Sequence, residues 1–345
     1  MPSLRGLPLG AALIVGLISI NASTPTIATA KDPLSFFAPS VQLSDAQRMR
    51  LDGGEAIAKV LPAGHRELAV FAAAQTRATA DELVRSVEDV SRLKTSSYVP
   101  EIGRFSNPPK PTDLDSLTVD RGDADAIREC RPGRCDLKLT AAEMTRLQNV
   151  IANSGNEWRR PLQDQFRRLV LERVLRYLRE GERGIGPYAD GSRTDLPQIF
   201  SLLLSHSPSI TGHAPQLGEY LDHYPEKPPP GAETFLYWSK ETFARHPIIS
   251  VTHVAIRRNS LHHDDAADAL VVSRDVFSTR YVSGAIAMTV LLQGEGSTSQ
   301  RYLAYVTHTW VDDIHWLWRP IVEHRVRTDA AKAFAQARER IEAAE

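Results

Sequence analysis

Histidine and carboxylate side chains gather in the C-terminal part of the chain: His253, His262, His263, His308 and His315, with Asp264, Asp265, Asp312 and Asp313. Imidazole and carboxylate are the ligands a hydrolytic metal would take. Their spacing does not assemble such a site. There is no H-E-x-x-H and no histidine pair four apart on a helix. His262-His263-Asp264-Asp265 falls between two strand-like runs and reads as a solvated polar loop. His253 and His308 lie inside apolar runs of strand period, where an imidazole could face a cavity. A G-x-S-x-G elbow, a P-loop and G-x-G-x-x-G are all absent. Gly181 to Gly186 (GERGIG) follows a helix, whereas a phosphate cradle would precede one, so it reads as a cap and loop. No catalytic residue, metal ligand or cofactor is assigned.

Aromatic residues are the more suggestive group: Phe235, Tyr237, Trp238, Phe277, Tyr281, Tyr302, Tyr305, Trp310, Trp316 and Trp318. Many of these must be core. A pocket lined by some of them, with a few polar groups, would suit an apolar ligand. Tyr237, His253, Tyr281, Tyr305 and His308 are the expected ligand-binding residues. The arginines from Arg159 to Arg179 crowd one helix, but Glu172 and Glu180 are interspersed, so they read as a solvated face.

The compartment is read from two features. Arg5, the apolar stretch Leu7–Ile20 and the small-x-small site Ala28-Thr29-Ala30 have the form of a secretory signal over residues 1–30. The alternative is an uncleaved anchor, although the apolar stretch is shorter than the ~20 residues a span needs. Export implies a periplasmic or secreted protein with no membrane span in the mature chain. It also makes the two cysteines readable. Cys130 and Cys135 flank Arg131-Pro132-Gly133-Arg134, and Pro then Gly suits the centre of a type II turn. An intramolecular disulfide is expected, because C-x4-C is not the redox spacing.

The remaining chain supplies elements to hold these residues. Residues 31–54 carry no clear periodicity and read as a loosely held leader. Glu67–Thr76 reads as a strand. Ala80–Leu93 has a helical apolar face, opened by the capping box Thr79 and Glu82. Val99–Phe105, Leu117–Asp120 and the segments beside the cysteines read as short strands. A second capping box, Thr140 and Glu143, opens a helical block over 137–231. That block contains Pro161–Glu180, capped by Gly181, then Leu196–Ser205 and Gln216–Tyr224. The proline-rich run Pro225–Gly231 is the candidate boundary.

Beyond it the period falls to two. Glu233–Glu241, Pro247–Arg257 and Arg301–Val311 read as strands. Leu270–Leu292 is too long for one strand and should break near Ser283-Gly284. A helix starting near Pro320 ends the chain. The expected division is 55–136 and 232–345 as one α+β domain, with the helical block inserted. This order resembles the START-like helix-grip fold, a curved antiparallel sheet gripping a long C-terminal helix. The segments Tyr237–Glu241, Ser273-Arg274 with Phe277 and Tyr281, and Tyr302–Val306 also resemble a group of uncharacterised exported bacterial proteins, which brings no known activity.

Lys and Arg total 41 against 42 Asp and Glu, so there is no global attraction to nucleic acid. The expectation is an exported, non-enzymatic protein that binds a lipid-like or other hydrophobic small molecule. The alternatives are a metal-assisted hydrolase of the cell envelope using His253 or His308, and an envelope protein-interaction module docking through the helical block.

Overall fold

A computed structural model describes residues 32–191, 195–243, 246–258, 267–294, 301–312 and 319–344. The expected signal over residues 1–30 with its expected cleavage site, residues 262–265, and Asp313, His315, Trp316 and Trp318 lie outside the described residues. The elements run α1 (Asp45–Asp52), β1 (Ile57–Leu61), β2 (Glu67–Thr76), α2 (Ala80–Glu88), α3 (Val90–Lys94), β3 (Glu101–Arg104), α4 (Arg121–Glu129), α5 (Ala141–Ser154), α6 (Arg159–Glu180), α7 (Leu196–Ser205), α8 (Pro208–His213), α9 (Pro215–Asp222), β4 (Ala232–Phe243), β5 (His246–Arg258), β6 (Ala267–Ser278), β7 (Val282–Gln293), β8 (Arg301–Val311) and α10 (Arg319–Glu342).

Among the described residues, eight strands form one antiparallel sheet in the order β1-β2-β8-β7-β6-β5-β4-β3. Because strand side chains alternate, each cross-strand row belongs wholly to one face. One face packs α2, α3 and α10. There Leu83, Val84, Val87 and Ile341 meet Phe235, Val254, Ile256, Val271, Leu291 and Leu303. The opposite face is covered near β4 and β5 by α4–α6, and over the middle strands by α7–α9. The protein is thus α+β, with the expected helix-grip arrangement of sheet and C-terminal helix. The helical block lies on the outer face, where Arg274 on β6 pairs with its Glu182. The segment before it is held to the sheet by Lys240 on β4 to Asp120 at 3.0 Å, and Arg280 pairs with Asp123 on α4 at 2.5 Å.

Local chemistry made most elements readable. Both capping boxes are present: the Thr79 amide donates to Glu82 at 2.6 Å and the Thr140 amide to Glu143 at 2.8 Å. Gly181 closes α6 with φ 61°, a backbone that favours glycine. Gly103 on β3 has a different reason. A Cβ there would sit 2.6 Å from the indole nitrogen of buried Trp238, so only glycine lets the strands close. The break within 270–292 comes at Thr279–Tyr281, with Tyr281 at φ 63°, and a register irregularity follows between Val282 and Gly284.

Two expectations are corrected. Residues 33–52 are not a loose leader: Leu34, Phe36, Phe37, Val41 and Leu51 are buried in the outer-face core. Their short apolar segment forms a 3-10 turn, whose period a helix or strand template misses. Leu117–Asp120 and the segments beside the cysteines are not strands. Asp120 instead opens helix α4, whose Ala124 and Ile127 are buried. Only a single bridge joins Arg131 and Arg134. The short strand β1 was not anticipated.

Candidate functional site

The two faces of the sheet differ in how tightly they are filled. On the outer face, Val272, Arg274, Ile286, Met288, Val290, Ala304, Val306 and His308 are all buried. Their inner-face neighbours Ser273, Asp275, Ala285, Thr289, Tyr305, Thr307 and Thr309 keep accessible surface, although they lie in the middle of an eight-stranded sheet. Small residues make this room. One inner row runs Val254–Ser273–Ala287–Thr307–Val70, and Ala72 and Ala58 extend the next beyond Tyr305. Phe334 of α10 stands over Tyr305, with ring centres 6.4 Å apart. The result is a recess in the concave face.

Polar groups converge at one end of it. Tyr237, Thr252 and Asp275 form a single cross-strand row. The ammonium of Lys94, the last residue of α3, donates to the Tyr237 hydroxyl at 2.9 Å and lies 3.5 Å from Glu241. Burial opposes the charge of Lys94, yet Tyr237 and Glu241 outweigh it and hold the ammonium above the usual lysine range. The Thr252 hydroxyl donates to Asp275 at 2.8 Å. Burial pushes the Asp275 carboxyl up to about 6, against the lowering effect of that hydroxyl. Burial likewise pushes the Tyr305 phenol up to about 12, so it remains a hydroxyl donor.

Sheet curvature is what joins Tyr305 to this group. β4 and β8 are four strand spacings apart, about 19 Å in a flat sheet at ~4.8 Å each. Yet Tyr305 feels the charge of Lys94 and of Asp275. Irregularities between Val251 and Thr252, Ala267 and Ala269, and Val282 and Gly284 bend the strands.

Of the five residues expected to line one site, only Tyr237 and Tyr305 face the recess together. His253 lies on the outer face, its ring nitrogens hydrogen-bonded to the hydroxyls of Tyr177 at 2.9 Å and Tyr220 at 3.3 Å. Burial pushes this imidazole down to about 3, so it is neutral and held among tyrosines. His308 is also on the outer face. Its Nδ1 lies 2.5 Å from Glu67, whose other oxygen meets His206 at 2.7 Å. Burial works against the Glu67 charge, but the two imidazoles prevail and hold it below the usual range. Tyr281 sits in the β6–β7 turn, away from the row. The cysteines form the expected disulfide, Cys130–Cys135, with Gly133 at φ 87° between them.

Lys94, Thr252 and Asp275 were missed. A signal existed for the last: Ser273 and Asp275 stand two apart on β6, so a regular strand puts both side chains on one face. Among the described residues, no three His, Cys, Asp or Glu side chains group as metal ligands. No helix among them is long and apolar enough to cross a membrane.

No protein-family model matches the chain, and no curated protein does. Among solved structures, human STARD10 is similar over 89% of this chain and 83% of its own, at 10% identity and a TM-score of 0.31. TTHA0849 from Thermus thermophilus is similar over 44% of this chain and 92% of its own, at 10% identity and a TM-score of 0.25. Ara h 8.0201 is similar over 44% of this chain and 91% of its own, at 11% identity and a TM-score of 0.21. At such scores the likenesses carry no inference about function.

Proposed function

We propose that the chain binds a small amphipathic molecule in the concave recess, with its apolar part along the Ala- and Val-lined strands and its polar end toward Lys94, Tyr237, Thr252 and Asp275. One observation carries this reading: inner-face residues in the middle of the sheet keep accessible surface while their outer-face neighbours do not. A purely structural sheet–helix interface would be filled on both faces. The polar groups at one end are those that orient a ligand in an otherwise apolar pocket. The interaction-module reading has less support. Among the described residues, the exposed large hydrophobic side chains Met49, Tyr98 and Leu202 stand singly on separate segments.

Filling the recess tests the proposal. Ala285→Phe projects a ring into it from β7. The parent should take up an uncharged fluorescent long-chain probe, and the variant should not, with both giving cooperative melts. Equal uptake by the two, or none by the parent across a panel of chain lengths, would remove the recess as a site.

The disulfide further supports reading the chain as exported, since such bonds persist in oxidising compartments. N-terminal sequencing of secreted or periplasmic protein should begin at Lys31. A chain recovered with Met1 would count against export by cleavage.

A further inference from the structure

The charges around the recess are unevenly compensated. Lys94 is satisfied: its ammonium has the Tyr237 hydroxyl and the Glu241 carboxylate beside it. Asp275 is not. One of its oxygens accepts from Thr252, and no described residue pairs with the other. Arg274, its neighbour in sequence, points to the opposite face. There it is buried, stacks on Phe200, pairs with Glu182 and donates to the Leu221 carbonyl at 2.7 Å. With Lys94 and Glu241 offsetting each other, an ionised Asp275 leaves one negative charge facing the recess. A carboxylate deep in protein is costly unless a cation or donors meet it. Next to it Ser273 and, across from that, Ala287 are small enough to admit a head group.

We propose that the ligand carries a protonated amine, and that this ammonium pairs with the free carboxylate oxygen of Asp275. The inference rests on the recess being the binding site. It names the class of ligand: a single-chain or compact apolar molecule with a cationic amine at one end. A carboxylate-headed ligand would have to displace Glu241 from Lys94 and then lie against Asp275. A hydroxyl-headed ligand gains the hydrogen bond without the charge.

Three probes of equal chain length separate these cases: dodecylamine, dodecanol and dodecanoate. Each competes with the fluorescent fatty-chain probe at pH 7.5, below its aggregation concentration. Hydrogen bonds to charged groups contribute enough that dodecylamine should bind ~10-fold or more tightly than dodecanoate, with dodecanol between. Asp275→Asn keeps an acceptor for Thr252 and should abolish the difference, with its melt confirming folding. Dodecanoate binding as tightly as dodecylamine in the parent would overturn the inference and leave the recess standing. So would a preference that survives in Asp275→Asn. If none of the three competes, the recess reading fails and this inference fails with it. The parent ranking decides the matter even if Asp275→Asn does not fold.

Discussion

His253 should make the protein acid-labile in a way that can be isolated. Its imidazole is buried, bonded to two tyrosine hydroxyls, and lies with its ring edge-on to Tyr224 at 4.8 Å. Burial lowers its pKa to about 3 in the folded chain, against ~6.5 when unfolded. Between those values the unfolded chain binds a proton that the native state refuses. Stability therefore falls as pH falls through this window, by ~1.4 kcal/mol per unit, and is fully present above ~6.5. Integrated from pH 7 to pH 4, the loss from this one group is about 3 kcal/mol. Domains are stable by only ~5–15 kcal/mol, so the effect is large. The perturbation is His253→Gln, whose amide can still donate to one tyrosine and accept from the other. The variant will be less stable at pH 7, but its further loss on acidification should be smaller by about 3 kcal/mol. Other acid-sensitive groups, such as Glu67 and Glu143, contribute equally to both proteins and cancel. The assay is urea unfolding followed by tryptophan fluorescence at pH 7 and pH 4. Equal losses in parent and variant would refute the claim that His253 is held neutral by burial.

Amine uptake should weaken as pH drops through about 6, because protonating Asp275 removes the charge that the ammonium meets; Lys94, Glu241, Tyr237 and Tyr305 face the same space, and an alkylamine stays charged throughout. Competition by dodecylamine at pH 5 and 7.5 checks this, and equal affinity would contradict it. Arg173→Met should cost ~3 kcal/mol in denaturant melts, since buried Glu143, which accepts from Arg173 at 2.6 and 3.1 Å, would keep just the half-exposed Arg176 at 3.5 Å and the Thr140 amide. Adding Glu143→Leu should recover part of that loss. Gly103→Ala should destabilise by ~1–3 kcal/mol through its clash with Trp238, and an unchanged melting temperature would show that β3 can shift. Thiol labelling of the unreduced, denatured chain should modify neither Cys130 nor Cys135.

Elements whose cause is local were legible before any contact was known. The Thr79 and Thr140 capping boxes, the Gly181 cap, the strands Glu67–Thr76 and Arg301–Val311, and the Pro-Gly turn between the cysteines each depend on residues a few positions apart. The order of those elements also carried the helix-grip arrangement. The site was another matter, because on a strand a shift of one residue changes the face. His253 and Thr252 are neighbours, as are Arg274 and Asp275, and in each pair one faces the recess and the other the helical block. That phase is set by which rows pair across β4 to β8 and by the irregularity between Val251 and Thr252. Periodicity within one strand shows that two faces exist. Only the pairing with distant strands, and the packing of α10 on one side and α4–α9 on the other, decides which is concave. Lys94 became visible for the same reason: sheet curvature brings strands four spacings apart to one helix end, and that bend is a property of the closed sheet rather than of any segment in it.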